Sequence, residues 1–286
     1  MSVTFILPPV ISFHQARPLL QAWLRGELQA QVSLDLGLTS VVVGLDSQGV
    51  CLPGGGVLPW EAIEEIAGVE NCCFTLRDGA WNRIQVFSEK TGRLYSLMPT
   101  ASAPTLLVSG IPMHRIKDTD PYHDTLEKIR AIKPLVGRVL DTATGLGYTA
   151  IQAAKTAEHV TTIELDEAAL EVARQNPWSQ ELFDHPRITQ VCGDSFDVVA
   201  KLDSNSFTRV IHDPPAFSLA GDLYSAEFYE HLFRVMRHNG RIFHYVGDPE
   251  SKSGKGITAG VMRRLQQVGF REVRRAPRAF GVVAVK

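Results

Sequence analysis

"VLDTATGLGYTA", residues 139–150, is the stretch on which the fold turns. Apolar residues run into an aspartate, a glycine turn follows, and a helix-forming segment begins at once. A strand, a loop and a helix are written this way when the loop must lie close to a ligand. Gly145-x-Gly147-x-x-Ala150 is followed by Glu164, nineteen residues beyond Gly145 and at the end of the next apolar run. That spacing meets the dinucleotide-binding pattern, in which glycines let the backbone turn tightly and approach the ligand while a carboxylate accepts hydrogen bonds from ribose hydroxyls. The same requirements hold for NAD and for S-adenosylmethionine, so the loop by itself does not separate them.

Three further features do. Asp141 ends the first strand; a carboxylate there repels a pyrophosphate and attracts a ligand that carries an ammonium group. "VCGDSF" places Asp194 where it can accept from the exocyclic amine of adenine, with Ser195 and Phe196 beside the base. "HDPPAF", residues 212–217, forms an acidic loop after the fourth strand, at the carboxyl edge where open α/β sheets bind ligands.

Outward from this centre, strands are expected at 138–142, 159–164, 187–191, 208–212 and 241–246. Helices are expected at 148–156, 167–175, 226–238 and 257–268, and "FREVRRAPRAFGVVAVK" reads as two strands joined near Pro277. Alternation of this kind is the pattern of a parallel sheet covered on both faces. A helix opened by Asp120 and Pro121, with Leu126, Ile129 and Ile132 at helical spacing, precedes the first strand. The first ~115 residues alternate short strands with turns and carry two helices, "QARPLLQAWLRGEL" and "PWEAIEEIA". The expected division is therefore a β-rich domain at 1–117 and a Rossmann-like domain at 118–286.

Composition bounds the function. The chain has 286 residues, 44% hydrophobic and 21% charged, and a net charge of -2, so binding to nucleic acid or an anionic surface would need a local patch. Arg263, Arg264, Arg271, Arg274, Arg275 and Arg278 form the one dense basic segment, and strand alternation splits three of them between faces. Cys51, Cys72, Cys73 and Cys192 show no metal-site spacing and read as reduced thiols, the adjacent pair as buried thiols in a strand. The start lacks a basic region and is broken by Pro8 and Pro9, which argues against a signal peptide, and no uncharged apolar run would span a bilayer. The expectation is a cytoplasmic protein without membrane partner or metal; a homodimer stays open.

"DTATGLG", "IELD", "CGDS" and "DPPAF", in that order, resemble the motifs of class I (Rossmann-like) S-adenosylmethionine-dependent methyltransferases over roughly residues 118–286. The run from Ile211 through "HDPPAFSLAGDLYSAEF" is most similar to a predicted archaeal-type methyltransferase group. The resemblance implies an α/β fold with a doubly wound seven-stranded sheet, its last hairpin supplying the reversed strand, and S-adenosyl-L-methionine as cofactor. It assigns Asp141, Ala143, Gly145 and Gly147 to the methionine end, Glu164 to the ribose, and Asp194 with Ser195 to adenine. Ala143 stands where the family has its first glycine, and needs only ordinary backbone angles.

Asp213, Pro214, Pro215 and Phe217 would hold the methyl acceptor, an amine or base nitrogen being favoured and RNA remaining open; Tyr224 would face the substrate from a lid. Displacement at a sulfonium needs positioning more than a strong base, and no nucleophile–base pair stands out. His212, next to Asp213 on a strand, is expected to face a covering helix instead of the pocket. Lys252 and Lys255, in "YVGDPESKSGKGIT", could wrap an anionic substrate. The first rival is an aminopropyltransferase using decarboxylated S-adenosylmethionine; Asp213, Asp222 and Glu227 suit its cationic acceptor, while the missing "GDG" speaks against it. An NAD enzyme and a catalytically inactive cofactor-binding scaffold are the others.

Overall fold

A computed structural model describes residues 8–77 and 79–286, together with their side chains except those of Lys252 and Ser253. Residues 1–7, read above for a leader, lie outside the described residues, as does the side chain of Lys252. The chain forms two compact units, Met1–Pro121 with Ala168–Gln180, and Tyr122–Glu167 with Glu181–Lys286.

The first unit holds three small antiparallel sheets and the helices Phe13–Leu24 and Trp60–Gly68. Ser12 caps the first helix through a reciprocal bond with Gln15, which satisfies two of its free amide ends. Ile11, Leu19, Val43, Leu58, Ile63, Ile66 and Phe74 fill the core between helices and strands. Cys72 and Cys73 are buried thiols, but they precede the strand Phe74–Arg77 instead of lying in it.

The second unit begins with α1 (Pro121–Ile132), followed by β1 (Arg138–Asp141), α2 (Tyr148–Ala154) and β2 (His159–Glu164). Then come α3 (Glu167–Gln175), most of which groups with the first unit, β3 (Ile188–Cys192), α4 (Ser195–Lys201) and β4 (Phe207–His212). The chain ends with α5 (Ala226–Val235), β5 (Met236–Tyr245), α6 (Lys252–Val268), β6 (Arg271–Ala276) and β7 (Gly281–Val285). The seven strands lie in the order β3-β2-β1-β4-β5-β7-β6. β1 to β5 run parallel, and β7 pairs antiparallel with both β5 and β6. The expected α/β class with a seven-stranded sheet and smaller N-terminal sheets is what the chain adopts. Strand order reverses between β1 and β4, so the crevice beyond their carboxyl ends is the place where such a sheet takes a ligand.

Two expected helices differ in their bounds, and one helix is added. The helix read at 226–238 ends at Val235, because Met236 turns extended and pairs with Phe207. Its apolar Val235 and Met236 fit either element, and strand pairing decides. α6 begins at Lys252 instead of residue 257: Ser251 caps it by accepting from the Gly254 amide at 3.0 Å, while Gly254 and Gly256 had hidden the start by their low helix propensity. Half of the expected anion-wrapping loop is therefore helix. α4 was not foreseen; Asp194, read only as a ligand contact, is its N-cap, accepting from the Phe196 amide at 2.8 Å. β6 lies at the sheet edge with Arg274 and Arg275 exposed, where charge discourages further strand pairing.

Candidate active site at the strand ends

The loop after β1 is shaped by two left-handed glycines. Gly147 caps α2 at φ 78°, and a Cβ there would lie 2.6 Å from Cδ2 of the buried Leu182. Gly145 has φ 51°, and a Cβ on it would meet nothing within 4 Å, so its flank is open. Its amide donates to Glu164 Oε2 at 2.8 Å, and the Asp166 amide donates to Oε1 at 3.2 Å. Desolvation pushes the Glu164 carboxyl up, against the pull of these amides. The Thr144 amide donates to the Ile163 carbonyl at 2.9 Å, which ties the loop to β2. Ala143 is not among the described residues with left-handed backbone, so the alanine occupies ordinary geometry.

Asp141 lies fully buried beneath this loop. Oδ2 accepts from the hydroxyls of Thr149 at 2.8 Å and Thr162 at 3.2 Å, whereas Oδ1 has no partner of hydrogen-bond geometry among the described residues. Burial raises its carboxyl to about 7; Thr149 pulls it down, Asp213 repels it further, and the Ala143 amide and Thr162 lower it slightly. A buried carboxylate oxygen left unpartnered is costly, and a cation is what would satisfy it.

Asp213 follows β4 with 15% of its side chain exposed. Lys128 of α1 reaches it: the ammonium lies 2.6 Å from Asp213 Oδ2, 2.8 Å from Asp124 Oδ2, and 4.5 Å from the centre of the Tyr245 ring. Burial alone would depress the lysine, but Asp213 and Asp124 outweigh it and hold Lys128 protonated. Burial raises the Asp213 carboxyl, Lys128 opposing and Asp124 adding to the shift. Two carboxylates thus share one ammonium, with Asp141 close enough to repel Asp213.

The rest of the loop after β4 is braced from behind. The Tyr224 hydroxyl donates to the Pro215 carbonyl at 3.0 Å, and Tyr224 is only 2% exposed. Phe217 stands edge-on to it at 5.3 Å and is 48% exposed, while Pro214 is buried. His212 is fully buried against Phe228 of α5, at 5.2 Å between rings. Its Nε2 faces the Leu223 carbonyl at 2.9 Å and therefore carries the proton, leaving Nδ1 to accept from the Thr142 hydroxyl at 2.6 Å. Burial pushes its pKa down to about 4. A neutral imidazole with both nitrogens engaged in this way orients two loops.

Sequence reasoning brought Asp141, Gly145, Gly147, Glu164 and Asp213 to one sheet edge. Asp194 is exposed beside it, one oxygen spent on capping α4, and the Ser195 hydroxyl donates to the Thr142 carbonyl at 2.6 Å. Asp222 and Glu227 are exposed. Asp124 and Lys128 were missed. Their signal was present: they stand four apart on the stripe that also carries Ile132, so a charged pair occupies the buried face of α1, while Leu126 is only half-buried.

The family described as "Spermine/spermidine synthase domain" matches residues 139–276. A spermidine synthase solved in complex with the transition-state analogue AdoDATO is 21% identical, with TM-score 0.58 over 70% of this chain and 71% of that one. The spermidine synthase of Thermotoga maritima is 19% identical, with TM-score 0.56 over 70% of each chain. These two share the fold. The domain match overturns the expected chemistry: methyl transfer to an amine, base or RNA is replaced by a spermidine-synthase-like domain on the same sheet. Over 263 residues, 89% of this chain and 88% of the other, the sequence is 44% identical to the uncharacterized protein MJ1233 of Methanocaldococcus jannaschii, and the chain belongs to that protein's family.

Proposed function

We propose that the protein is an aminopropyltransferase that moves a propylamine group from decarboxylated S-adenosylmethionine to a cationic aliphatic amine. The observation that carries this reading is the carboxylate cluster Asp124, Asp141 and Asp213, with Lys128 shared by two of its members and Asp141 Oδ1 without a hydrogen-bond partner among the described residues. Such a site attracts the ammonium of the decarboxylated donor and a cationic acceptor, and it repels the carboxylate that S-adenosylmethionine retains.

The residues fit the donor. Glu164 would accept from the ribose, Asp141 would hold the ammonium, the open flank of Gly145 leaves room at the loop, and Asp194 with Ser195 borders the adenine end. When bound, the donor supplies a propyl carbon already activated by its sulfonium. Asp213 orients the acceptor amine and takes the proton it loses as the nitrogen–carbon bond forms and the carbon–sulfur bond breaks. Pro214 and Pro215 make the Asp213 loop rigid, Tyr224 pins it, and Phe217 covers the acceptor.

Calorimetric titration with the decarboxylated donor, S-adenosylmethionine and NAD tests the reading. The decarboxylated donor should bind at least about tenfold more tightly than S-adenosylmethionine, and Glu164→Ala should weaken it roughly ten- to a hundredfold, the worth of hydrogen bonds to a charged group. Tighter binding of S-adenosylmethionine or NAD would sink it. Affinity should also depend on pH. Asp141 is protonated below about 7 and anionic above, so the donor should bind more tightly as pH rises through 7. Asp141→Asn should bind weakly with a flat profile, and an unchanged slope in that variant would remove Asp141 from the donor site.

A further inference from the structure

Lys128 is 2% exposed, and a lysine so deeply placed persists only where its charge is compensated. Its ammonium grips Asp213 by Oδ2 alone; Oδ1 takes no hydrogen bond from the described residues, although the side chain remains partly exposed. Asp124, one helical turn away, fixes the ammonium from its other side. The face of Tyr245 closes over it from β5.

We propose that Lys128 is a positioning residue: by clamping Oδ2 it presents Oδ1 of Asp213 to the acceptor amine, and its ammonium offsets the charges of Asp124 and Asp213 at the same point. The role of Oδ1 rests on the aminopropyl reading; the clamp does not. The groups facing the pair are Asp124 from α1, Asp141 from β1, Tyr245 from β5 and Tyr224 from the turn before α5. Burial pushes the Tyr224 phenol far up, so it stays neutral and adds no charge.

The cluster makes two predictions of opposite sign. In Lys128→Met the cation is gone, Asp213 faces two carboxylates, and its proton is held more tightly. In Asp124→Asn the ammonium serves Asp213 alone, and the proton is held less tightly. The titration of Asp213 is followed by carbon-13 NMR of aspartate-labelled full-length protein, with Asp213→Asn assigning the resonance. Its midpoint should rise by about one pH unit or more in Lys128→Met and fall in Asp124→Asn. The acid limb of kcat for transfer to putrescine should move in the same directions, and Lys128→Arg should restore the parent profile.

A lysine that only compensates buried charge would also move the midpoints, but it would leave the acid limb of kcat where the parent has it. Unmoved midpoints, midpoints that move the same way, or an acid limb of kcat that does not follow them overturn the positioning role. Should Lys128→Met fail to fold, the fall in Asp124→Asn still decides. If the parent protein transfers no aminopropyl group while the midpoints move as stated, the reaction is wrong and the clamp stands.

Discussion

Asp213→Asn should bind the decarboxylated donor nearly as the parent does and transfer its aminopropyl group roughly 10²–10⁴-fold more slowly, the usual contribution of a positioned proton acceptor. The amide keeps the size and one acceptor oxygen, but it cannot take a proton. Lys128 would then depend on Asp124 alone, so some stability is lost, and rates are to be compared where both proteins are shown by circular dichroism to be folded. Calorimetry on the same samples separates donor binding from turnover. Turnover within tenfold of the parent would remove Asp213 from the chemistry and leave it as the counter-ion of a buried lysine.

Gly147→Ala should lose about 2–5 kcal/mol of folding stability. The left-handed backbone costs an alanine about 1–2 kcal/mol. Pushing aside Leu182, which is itself buried, adds about 1–3 kcal/mol. Against a total of about 5–15 kcal/mol, urea denaturation should show a clearly lowered midpoint. Gly145→Ala isolates the other role of this loop. Nothing stands within 4 Å of the new methyl, so only the backbone term of about 1–2 kcal/mol applies, yet the methyl fills the open flank and donor binding should suffer. If Gly145→Ala binds as the parent does, that flank is not where the donor lies.

The comparison of the two glycines shows why the central motif could be read early. Both requirements are local: a left-handed turn, and a small residue next to a neighbouring chain. A glycine at the right spacing after an apolar run declares them without knowledge of the rest of the molecule. The strand ends were legible for a similar reason, because the alternation of apolar runs with helical segments constrains a parallel sheet closely, and Asp141, Glu164 and Asp213 fall at its carboxyl edge by register alone. The starts of α4 and α6 were not, since Asp194 serves both as cap and as a plausible ligand contact, and glycines in the first turns of α6 mask a helix that Ser251 and tertiary packing secure.

The sequence by itself determined the α/β alternation, the β-rich segment before it, and the edge at which the acidic residues gather, because periodicity and turn chemistry are local properties of the chain. Only the tertiary structure decided what those acids have around them. Lys128 stands 85 residues before Asp213, and no spacing rule connects a turn of α1 with the end of β4. Folding brings them within 2.6 Å, buries the ammonium, and leaves Asp141 with an oxygen that has no hydrogen-bond partner among the described residues. Charge in a desolvated site acts over a few ångströms of space, not over positions in sequence, so the ion cluster of Asp124, Lys128 and Asp213 emerged with the packing of α1 against the sheet.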